Sequence, residues 1–369
     1  MLTPSNARTK SEADRLFAAF VAAGAEPVEA AALQPAETLL DLYGEDIRAR
    51  AYVTHDPLVG EMMLRPDFTV PVVQMHMHNG AEPARYTYQG PVWRKQPTER
   101  DRAREYLQVG FELFDRSNPA KADAEVFSLF SRVLQHLNLR AASGDMGILM
   151  AAIEGLDTME QRKAALKRHI WRPQRFRQLL DRFGGQSPVP DTRQALLVAA
   201  EKTPVADLCA AAGQHVGLRS ISDVSARVAT LVDDARTPPI SAEQVNLLED
   251  ILNIREKSPA ALAHLRALAC DMPPLTPALD KMEARLDAMS ARQIDVDALD
   301  FEASYGRTTM EYYDGFVFGF FAETRDDLPL IASGGRYDAM TAVLGRGRSI
   351  PAVGGVIRPA AIASLLEAL

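Results

Sequence analysis

The chain has 369 residues, of which 47% are hydrophobic and 24% are charged, and its formal net charge is -8 at pH 7. This composition is typical of a soluble globular protein and excludes a disordered chain, a collagen-like repeat and a disulfide scaffold. The net negative charge does not suit broad wrapping of nucleic acid, although a local basic patch remains compatible with it.

The lack of a recognisable targeting segment and the positions of the cysteines indicate the cellular compartment. No segment approaches the roughly 20 apolar residues that a membrane helix needs, and residues 1–8 lack the apolar run of a signal peptide. Cys209 and Cys270 are the only cysteines, and both lie in alanine- and leucine-rich helical stretches. We therefore expect two buried thiols in a protein of the reducing cytoplasm.

The first third of the chain is rich in short β-type segments. Residues 51–54 and 62–65 flank turn residues and predict a hairpin. Residues 85–88, 92–96 and 106–113 predict further strands, which together indicate one antiparallel sheet. Between the hairpin and these later strands, residues 69–79 predict a helix, because no turn residue follows Pro71.

The segment 106–113 alternates in polarity. Gln108, Gly110 and Glu112 fall on one face of the predicted strand, and leucine, valine and phenylalanine fall on the other. We expect the apolar face to pack in the core and the polar face to line a cleft.

Residues 147–292 are mostly helical in pattern, with breaks at glycine- and proline-rich positions. β-type segments return at 312–318 and 328–332. We therefore expect an α+β core, residues 1–146 and 293–369, that is interrupted by a helical insertion, residues 147–292.

A basic loop connects the predicted strands at residues 92–96 and 106–113. Residues 94–104 hold five basic and two acidic side chains, so the loop is suited to gripping an anion, although a solvated hairpin tip explains the same charges. The loop and strand together offer partners for an amino acid: Arg94 for a carboxylate, and Glu112 and Asp67 for N–H donors.

Two further patterns are weak as functional signals. Gly334 and Gly335 stand at a predicted strand-to-helix turn without the spacing of a dinucleotide or phosphate loop, so a purely structural turn remains an alternative. His76 and His78 are two positions apart on a predicted helix, where side chains point about 200° apart and cannot chelate one ion. We expect no metal and no cofactor.

Five segments in order resemble class II aminoacyl-tRNA synthetases, and histidyl-tRNA synthetase in particular. They are residues 34–37 (first motif), 64–69 (L-R-P-E-x-T segment), 90–112 (second motif), and 312–313 and 332–338 (histidine-specific signatures). The resemblance implies an α+β fold with an antiparallel sheet flanked by helices, a helical insertion, and a dimer formed across the Pro35 region.

The resemblance also implies a histidine pocket. Asp67, Thr69, Arg94, Gln108 and Glu112 match positions that hold the ammonium and carboxylate of histidine or close the pocket. Tyr313 and Tyr337, with Glu112, match positions around the imidazole. Tyr312 and Tyr313 are adjacent on a predicted strand, so we expect only one of them, Tyr313, to face the pocket.

Departures from the synthetase pattern concern the groups that bind nucleotide phosphate. Gln96, Thr308 and Ala361 replace an acid and two arginines, and Arg358 is out of register with the third motif. Loss of two phosphate contacts implies a loss of about 10² to 10⁴ in adenylation rate. Only fifteen residues follow Gly354, so we expect no anticodon-binding domain and no tRNA partner.

This combination resembles the regulatory subunits of short-form ATP phosphoribosyltransferase, and residues 171–173 add to that resemblance. The resemblance implies that the chain is the non-catalytic partner of a separate catalytic subunit in a cytoplasmic hetero-oligomer. It also implies that this chain binds free histidine for feedback inhibition. A truncated histidine-activating ligase, with Arg94, Arg102 and Arg104 on an ATP phosphate, and a scaffold without a small ligand remain alternatives.

Overall fold

The structure is a computed structural model that describes residues 6–43, 47–96, 103–213, 217, 219–307, 312–325 and 327–367. It divides into two compact units. The first combines Met1–Leu149 with Asn253–Leu369, and the second is Met150–Leu252. Among the helices of the described residues, none is long and apolar enough to cross a membrane.

The elements of the first unit form sheets and the helices packed on them. Its strands and helices before the second unit are α1 (Asn6–Ala22), β1 (Glu26–Pro27), β2 (Leu33–Pro35), α2 (Ala36–Tyr43), α3 (Ile47–Arg50), β3 (Val53–Asp56), β4 (Gly60–Leu64), α4 (Thr69–Asn79), β5 (Ala84–Trp93), β6 (Glu105–Phe114), α5 (Pro119–Leu134), β7 (Arg140–Asp145) and α6 (Met146–Glu154), the last running across the boundary.

The second unit is helical within its described residues. It contains α7 (Glu160–Arg168), α8 (Pro173–Phe183), α9 (Asp191–Lys202), α10 (Val205–Ala211), α11 (Ile221–Arg236) and α12 (Ala242–Asn253). An ion pair in this unit joins the buried Arg162 Nε on α7 to the partly buried Asp234 Oδ1 on α11 at 2.6 Å.

The first unit then continues to the end of the described chain. Its later elements are β8 (Arg255–Lys257), α13 (Ser258–Leu268), α14 (Thr276–Ser290), β9 (Asp300–Glu302), β10 (Phe316–Phe321), β11 (Ala332–Arg336), α15 (Asp338–Leu344), β12 (Ala352–Ile357) and α16 (Pro359–Leu366).

Within the described residues, nine strands form the main sheet in the order β1-β5-β6-β12-β11-β10-β7-β9-β8. Its central pairs, from β5 to β7, are antiparallel. The predicted hairpin, β3 and β4, is not part of this sheet: it forms a separate three-stranded sheet with β2. The prediction that the hairpin and the later strands form one continuous sheet was therefore wrong, because alternation within a strand does not reveal its partners.

One face of the main sheet packs against α1, α5 and α16. β6 contributes Val109, Phe111 and Leu113 to this core, all fully buried, as the alternation predicted. Phe127 of α5 packs on Phe316, Phe318 and Phe320 of β10 with ring centroids 5.5–6.3 Å apart. Burial of each such ring stabilises the fold by about 25 cal/mol for each Å² of apolar surface removed from water.

Three local predictions differ from the structure. β5 is one strand, so residues 85–88 and 92–93 belong together and residues 94–96 lie beyond its end. The last predicted strand lies too early: residues 328–331 have no strand, and β11 covers residues 332–336, including both glycines. Cys209 is only partly buried and Cys270 is exposed, so the expected burial of both thiols was wrong.

The boundary of the helical insertion also differs from the expected one. The second unit ends at Leu252, whereas we expected residue 292. α14 belongs to the first unit because Arg285 reaches Asp145 Oδ2 of β7 at 2.7 Å, and both residues are buried. Helical periodicity is the same in either unit and cannot assign a helix to one of them.

Candidate functional site

The other face of the main sheet, here called the cleft face, carries Gln108, Gly110 and Glu112 of β6. Register places Gly354 of β12 opposite Glu112, and Gly335 of β11 opposite Gly354. A β-carbon at Gly354 would lie 1.6 Å from Glu112 Oε2, and one at Gly335 would lie 2.8 Å from Tyr313 Cδ1. These two positions therefore require glycine, because the Glu112 and Tyr313 side chains lie directly over them.

Glu112 is the centre of the site. Its side chain is fully buried and accepts three hydrogen bonds from hydroxyls: Thr69 Oγ1 at 2.9 Å, Tyr88 OH at 2.8 Å and Tyr337 OH at 2.6 Å. The three donors come from α4, β5 and the residue before α15. We call Glu112, these three residues and Gln108 the Glu112 pocket.

Burial raises the pKa of Glu112 to about 7, although the three hydroxyl donors lower it; the neighbouring Asp67 raises it further. A carboxylate has about four acceptor sites, and the hydroxyls occupy three of them. One site therefore remains for an N–H donor, and a donor with positive charge would favour the ionised form.

Gln108 lies on the cleft face two cleft-face positions from Glu112. Its side chain is fully buried, and neither its amide nitrogen nor its amide oxygen has a hydrogen-bond partner among the described residues. Buried amides are almost always paired in native proteins, since an unpaired group costs about 1–3 kcal/mol. This amide is therefore suited to a polar ligand in the cleft.

Asp67 and Thr69 lie where the chain enters α4. Asp67 Oδ1 accepts from the Val70 backbone N–H at 3.2 Å, and both residues are almost completely buried. Between them Phe68 stacks on Tyr88 at 4.4 Å, which holds the tyrosine hydroxyl towards Glu112. The negative charge of Asp67 accordingly stands beside the pocket.

The two adjacent tyrosines precede β10 and are not on a strand, so the expectation that they face opposite sides was wrong. Tyr313 is 5% exposed, and the Tyr312 ring lies 4.7 Å from the Tyr313 ring and 6.1 Å from the Tyr337 ring. Outside a regular strand the backbone does not alternate, and both rings join one cluster.

The described residues include both ends of the basic loop, residues 94–96 and 103–104. Arg94 Nε donates to the Pro66 carbonyl at 2.7 Å, and its backbone N–H donates to the Arg104 carbonyl. Arg104 is exposed, whereas Arg102 and Thr308 lie outside the described residues. Arg94 therefore stands at the end of β5 close to the Asp67 segment.

Sequence reasoning missed one residue of the Glu112 pocket, Tyr88. Tyr88 pairs with Gly110 in the β5–β6 register, and a β-carbon at Gly110 would lie 2.2 Å from its ring. The hairpin register between the two strands could have revealed this contact. Ala361, in contrast, is buried in the hydrophobic core and contributes no cation to the cleft.

His76 packs in the core of the first unit. It is fully buried, stacks on Phe114 at 3.9 Å and shares a hydrogen bond with Tyr86 OH at 3.1 Å, whereas His78 is exposed. No group of three or more His, Cys, Asp or Glu side chains suited to a metal occurs in the described part of the chain.

Comparison with known proteins gives consistent results. The histidyl-tRNA synthetase family model matches residues 1–238 and 225–362. The ATP phosphoribosyltransferase regulatory subunit of Brucella anthropi is 31% identical over 344 residues, which cover 89% of this chain and 90% of the relative. The same subunit of Brucella melitensis is 30% identical over 367 residues and 96% of each chain.

Solved structures show the same fold. An ATP phosphoribosyltransferase regulatory subunit/histidyl-tRNA synthetase from Bacillus halodurans is similar at a TM-score of 0.70 and 20% identity, over 99% of this chain and 80% of that chain. A histidine–tRNA ligase subunit from Alicyclobacillus acidocaldarius is similar at a TM-score of 0.60 and 22% identity, over 100% and 95%.

Proposed function

The chain belongs to the histidyl-tRNA synthetase family and, within it, to the ATP phosphoribosyltransferase regulatory subunits, and on that premise we propose that it regulates the first step of histidine biosynthesis. In this proposal the chain is the non-catalytic partner of a separate phosphoribosyltransferase subunit, which needs it for activity. Free histidine binds in the Glu112 pocket, and its occupancy inhibits the partner.

The observation that carries the proposal is the fully buried Glu112 carboxyl with one acceptor site left, near the Gln108 amide, which has no hydrogen-bond partner among the residues that the structure describes. Glu112 accepts a hydrogen bond from the imidazole N–H, and a tyrosine hydroxyl forms a hydrogen bond with the other ring nitrogen. Asp67 and the Gln108 amide oxygen accept from the ammonium, and Arg94 binds the carboxylate. An analogue without the ring N–H leaves buried groups unpaired, and this selects histidine.

The position of the third-motif arginine gives little support to adenylate formation. Ala361 stands where the synthetase pattern has an arginine, and it packs in the core. Transfer of an adenylyl group needs cations on the triphosphate as charge shifts in the transition state. A receptor needs only the amino-acid cradle.

A second candidate, a histidine-activating ligase, is favoured by Arg94 and the nearby Arg358. Both cations could hold an α-phosphate. Histidine-dependent exchange of pyrophosphate into ATP separates the two functions: turnover supports the ligase, and its absence supports the receptor.

We also propose a homodimer through the segment around Pro35. β2 is an edge strand of the small sheet, with Leu33 44% exposed, so its backbone groups are open to another chain. Binding of the catalytic subunit would then build a hetero-oligomer. We propose a cytoplasmic location for this complex.

Calorimetry with purified chain tests histidine binding directly. We expect Glu112→Gln to raise the Kd for histidine by roughly 10- to 100-fold, since it removes a charged acceptor that contributes about 1.5–3 kcal/mol. Glu105→Gln, at the exposed start of the same strand, is the matched control and should bind like wild type. Equal affinity of the two variants would reject the pocket.

A further inference from the structure

Arg358 continues the cleft face of the sheet beyond the end of β12. Gly354 pairs with Glu112 and Val356 with Gly110, so the next step places Arg358 opposite Gln108. Its backbone is extended (φ -107°, ψ 95°), and its N–H still bonds the Ile331 carbonyl at 2.9 Å. The strand alternation therefore holds for its side chain.

Within the described ranges of the chain, the guanidinium of Arg358 has no acidic partner. Nη1 donates to the Leu330 carbonyl at 2.8 Å, and Nη2 to Ser333 Oγ at 3.4 Å. Among the described residues no carboxylate forms an ion pair with it. A partly buried cation without an anion is unfavourable, because burial weakens its hydration and hydrogen bonds to two neutral oxygens do not neutralise its charge.

The groups around Arg358 are cationic or neutral. Burial lowers the pKa of Arg358, and the positive charge of Arg94 lowers it further. Tyr305 OH is buried with no hydrogen-bond partner in the described part of the chain, and Gln108 is likewise unpaired. This end of the cleft thus contains Arg358 and Arg94, together with the polar side chains of Tyr305 and Gln108, which can form further hydrogen bonds.

The opposite end of the cleft is acidic, with Glu112 and Asp67. The guanidinium contacts Ser333, which pairs with Val356 across the sheet. Two residues further along these strands, Gly335 pairs with Gly354, and Gly354 pairs with Glu112. Two residues along a strand span roughly 7 Å. That separation suits a ligand of amino-acid length with an N–H group at one end and an anion at the other.

We propose that Arg358 binds the carboxylate of the amino-acid ligand, together with Arg94. This inference rests on the proposed histidine pocket and adds to it a specificity-determining residue. Nη atoms that now reach Ser333 and Leu330 supply the charged hydrogen bonds, and the Gln108 amide donates alongside them. The ligand is therefore a free amino acid with an ionised carboxylate.

L-histidinol tests this role, because it has the ring and ammonium of histidine but a hydroxymethyl group instead of the carboxylate. Calorimetry is run with both ligands on wild type, Arg358→Met and Arg358→Lys. In Arg358→Met we expect the Kd for histidine to rise roughly 10- to 100-fold, while the Kd for histidinol stays that of wild type. Arg358→Lys should fall between them, since lysine keeps the charge without the fork geometry.

Arg227→Met, at an exposed arginine of α11, is the matched control and should bind both ligands like wild type. Histidinol affinity in each variant reports whether the pocket is folded. If Arg358→Met unfolds, the histidine-to-histidinol ratio of Arg358→Lys decides.

Three outcomes would count against the idea. An unchanged histidine Kd in Arg358→Met, or an equal loss for both ligands in both Arg358 variants, would overturn the role of Arg358 alone. Wild-type protein that binds neither ligand would overturn the proposed function together with it.

Discussion

Glu112 combines two properties that oppose each other in a folded protein. Burial disfavours its charge, and three hydroxyl donors favour it. The balance leaves a carboxyl that changes protonation near neutral pH and is ready to accept from a ligand. The affinity of the proposed histidine pocket should therefore depend on the charge of the ligand.

Stability without ligand should depend on pH through Glu112. Its folded pKa of about 7 lies above the ordinary 4.5, so below about pH 4.5 it is protonated in both states and has no effect. As pH rises to about 7 the unfolded chain ionises first, and stability falls. Above pH 7 the loss is complete, at roughly 3 kcal/mol.

Urea unfolding from about pH 5 to about pH 8 measures this effect. Glu112→Gln should lack the loss, so that its stability relative to wild type rises with pH, whereas Glu105→Gln should follow wild type. Parallel curves for wild type and Glu112→Gln would contradict the raised pKa.

At this scale the sequence predicted residues whose roles depend on local pattern. The polar face of β6 follows from alternation alone, because each strand residue has one of two directions. Tyr88 and Arg358 depend on how β5 and β12 align with β6, and alternation does not contain that register. Thr69 meets Glu112 only through the packing of α4, which the resemblance supplied and the spacing did not.

Elements of the first unit are joined by a buried cluster of charges. Arg285 of α14 pairs with Asp145 of β7 and lies 3.6 Å from Asp123 of α5, and Arg336 of β11 donates to Asp123 at 2.6 Å. Arg336 precedes Tyr337 of the Glu112 pocket. The cluster thus ties a sheet strand that holds the pocket to two helices.

Arg285→Met should destabilise the protein by about 3–5 kcal/mol, because Asp145 and Asp123 would lose a cation while remaining buried. Arg292→Met, just beyond the same helix in an exposed pair with Glu125, should cost no more than about 0.5 kcal/mol. Thermal or urea unfolding compares the two. Similar small effects would show that the cluster does not anchor α14.

The element boundaries that sequence analysis missed have a common cause. β11 contains Gly334 and Gly335, which have low strand propensity, whereas Leu328, Leu330 and Ile331 are apolar and suggested a strand despite Pro329. The glycines occupy the strand because neighbouring side chains approach its backbone closely. Tertiary packing overrides local propensity at this position.

The whole molecule has the fold that the resemblance predicted, a large and mainly antiparallel sheet flanked by helices with a helical second unit. Membership of the regulatory-subunit family is likewise confirmed by relatives at 30–31% identity. The allostery that we propose is a coupling free energy between histidine binding to this chain and activity of the catalytic partner, and such couplings are typically about 1–3 kcal/mol.

The most direct measurement is phosphoribosyltransferase activity of the catalytic subunit, assayed alone, with wild-type chain and with Glu112→Gln, across a histidine titration. We expect wild type to support activity that histidine inhibits, and Glu112→Gln to support activity that the same histidine concentrations leave intact. A catalytic subunit that is equally active and equally inhibited without this chain would contradict the account.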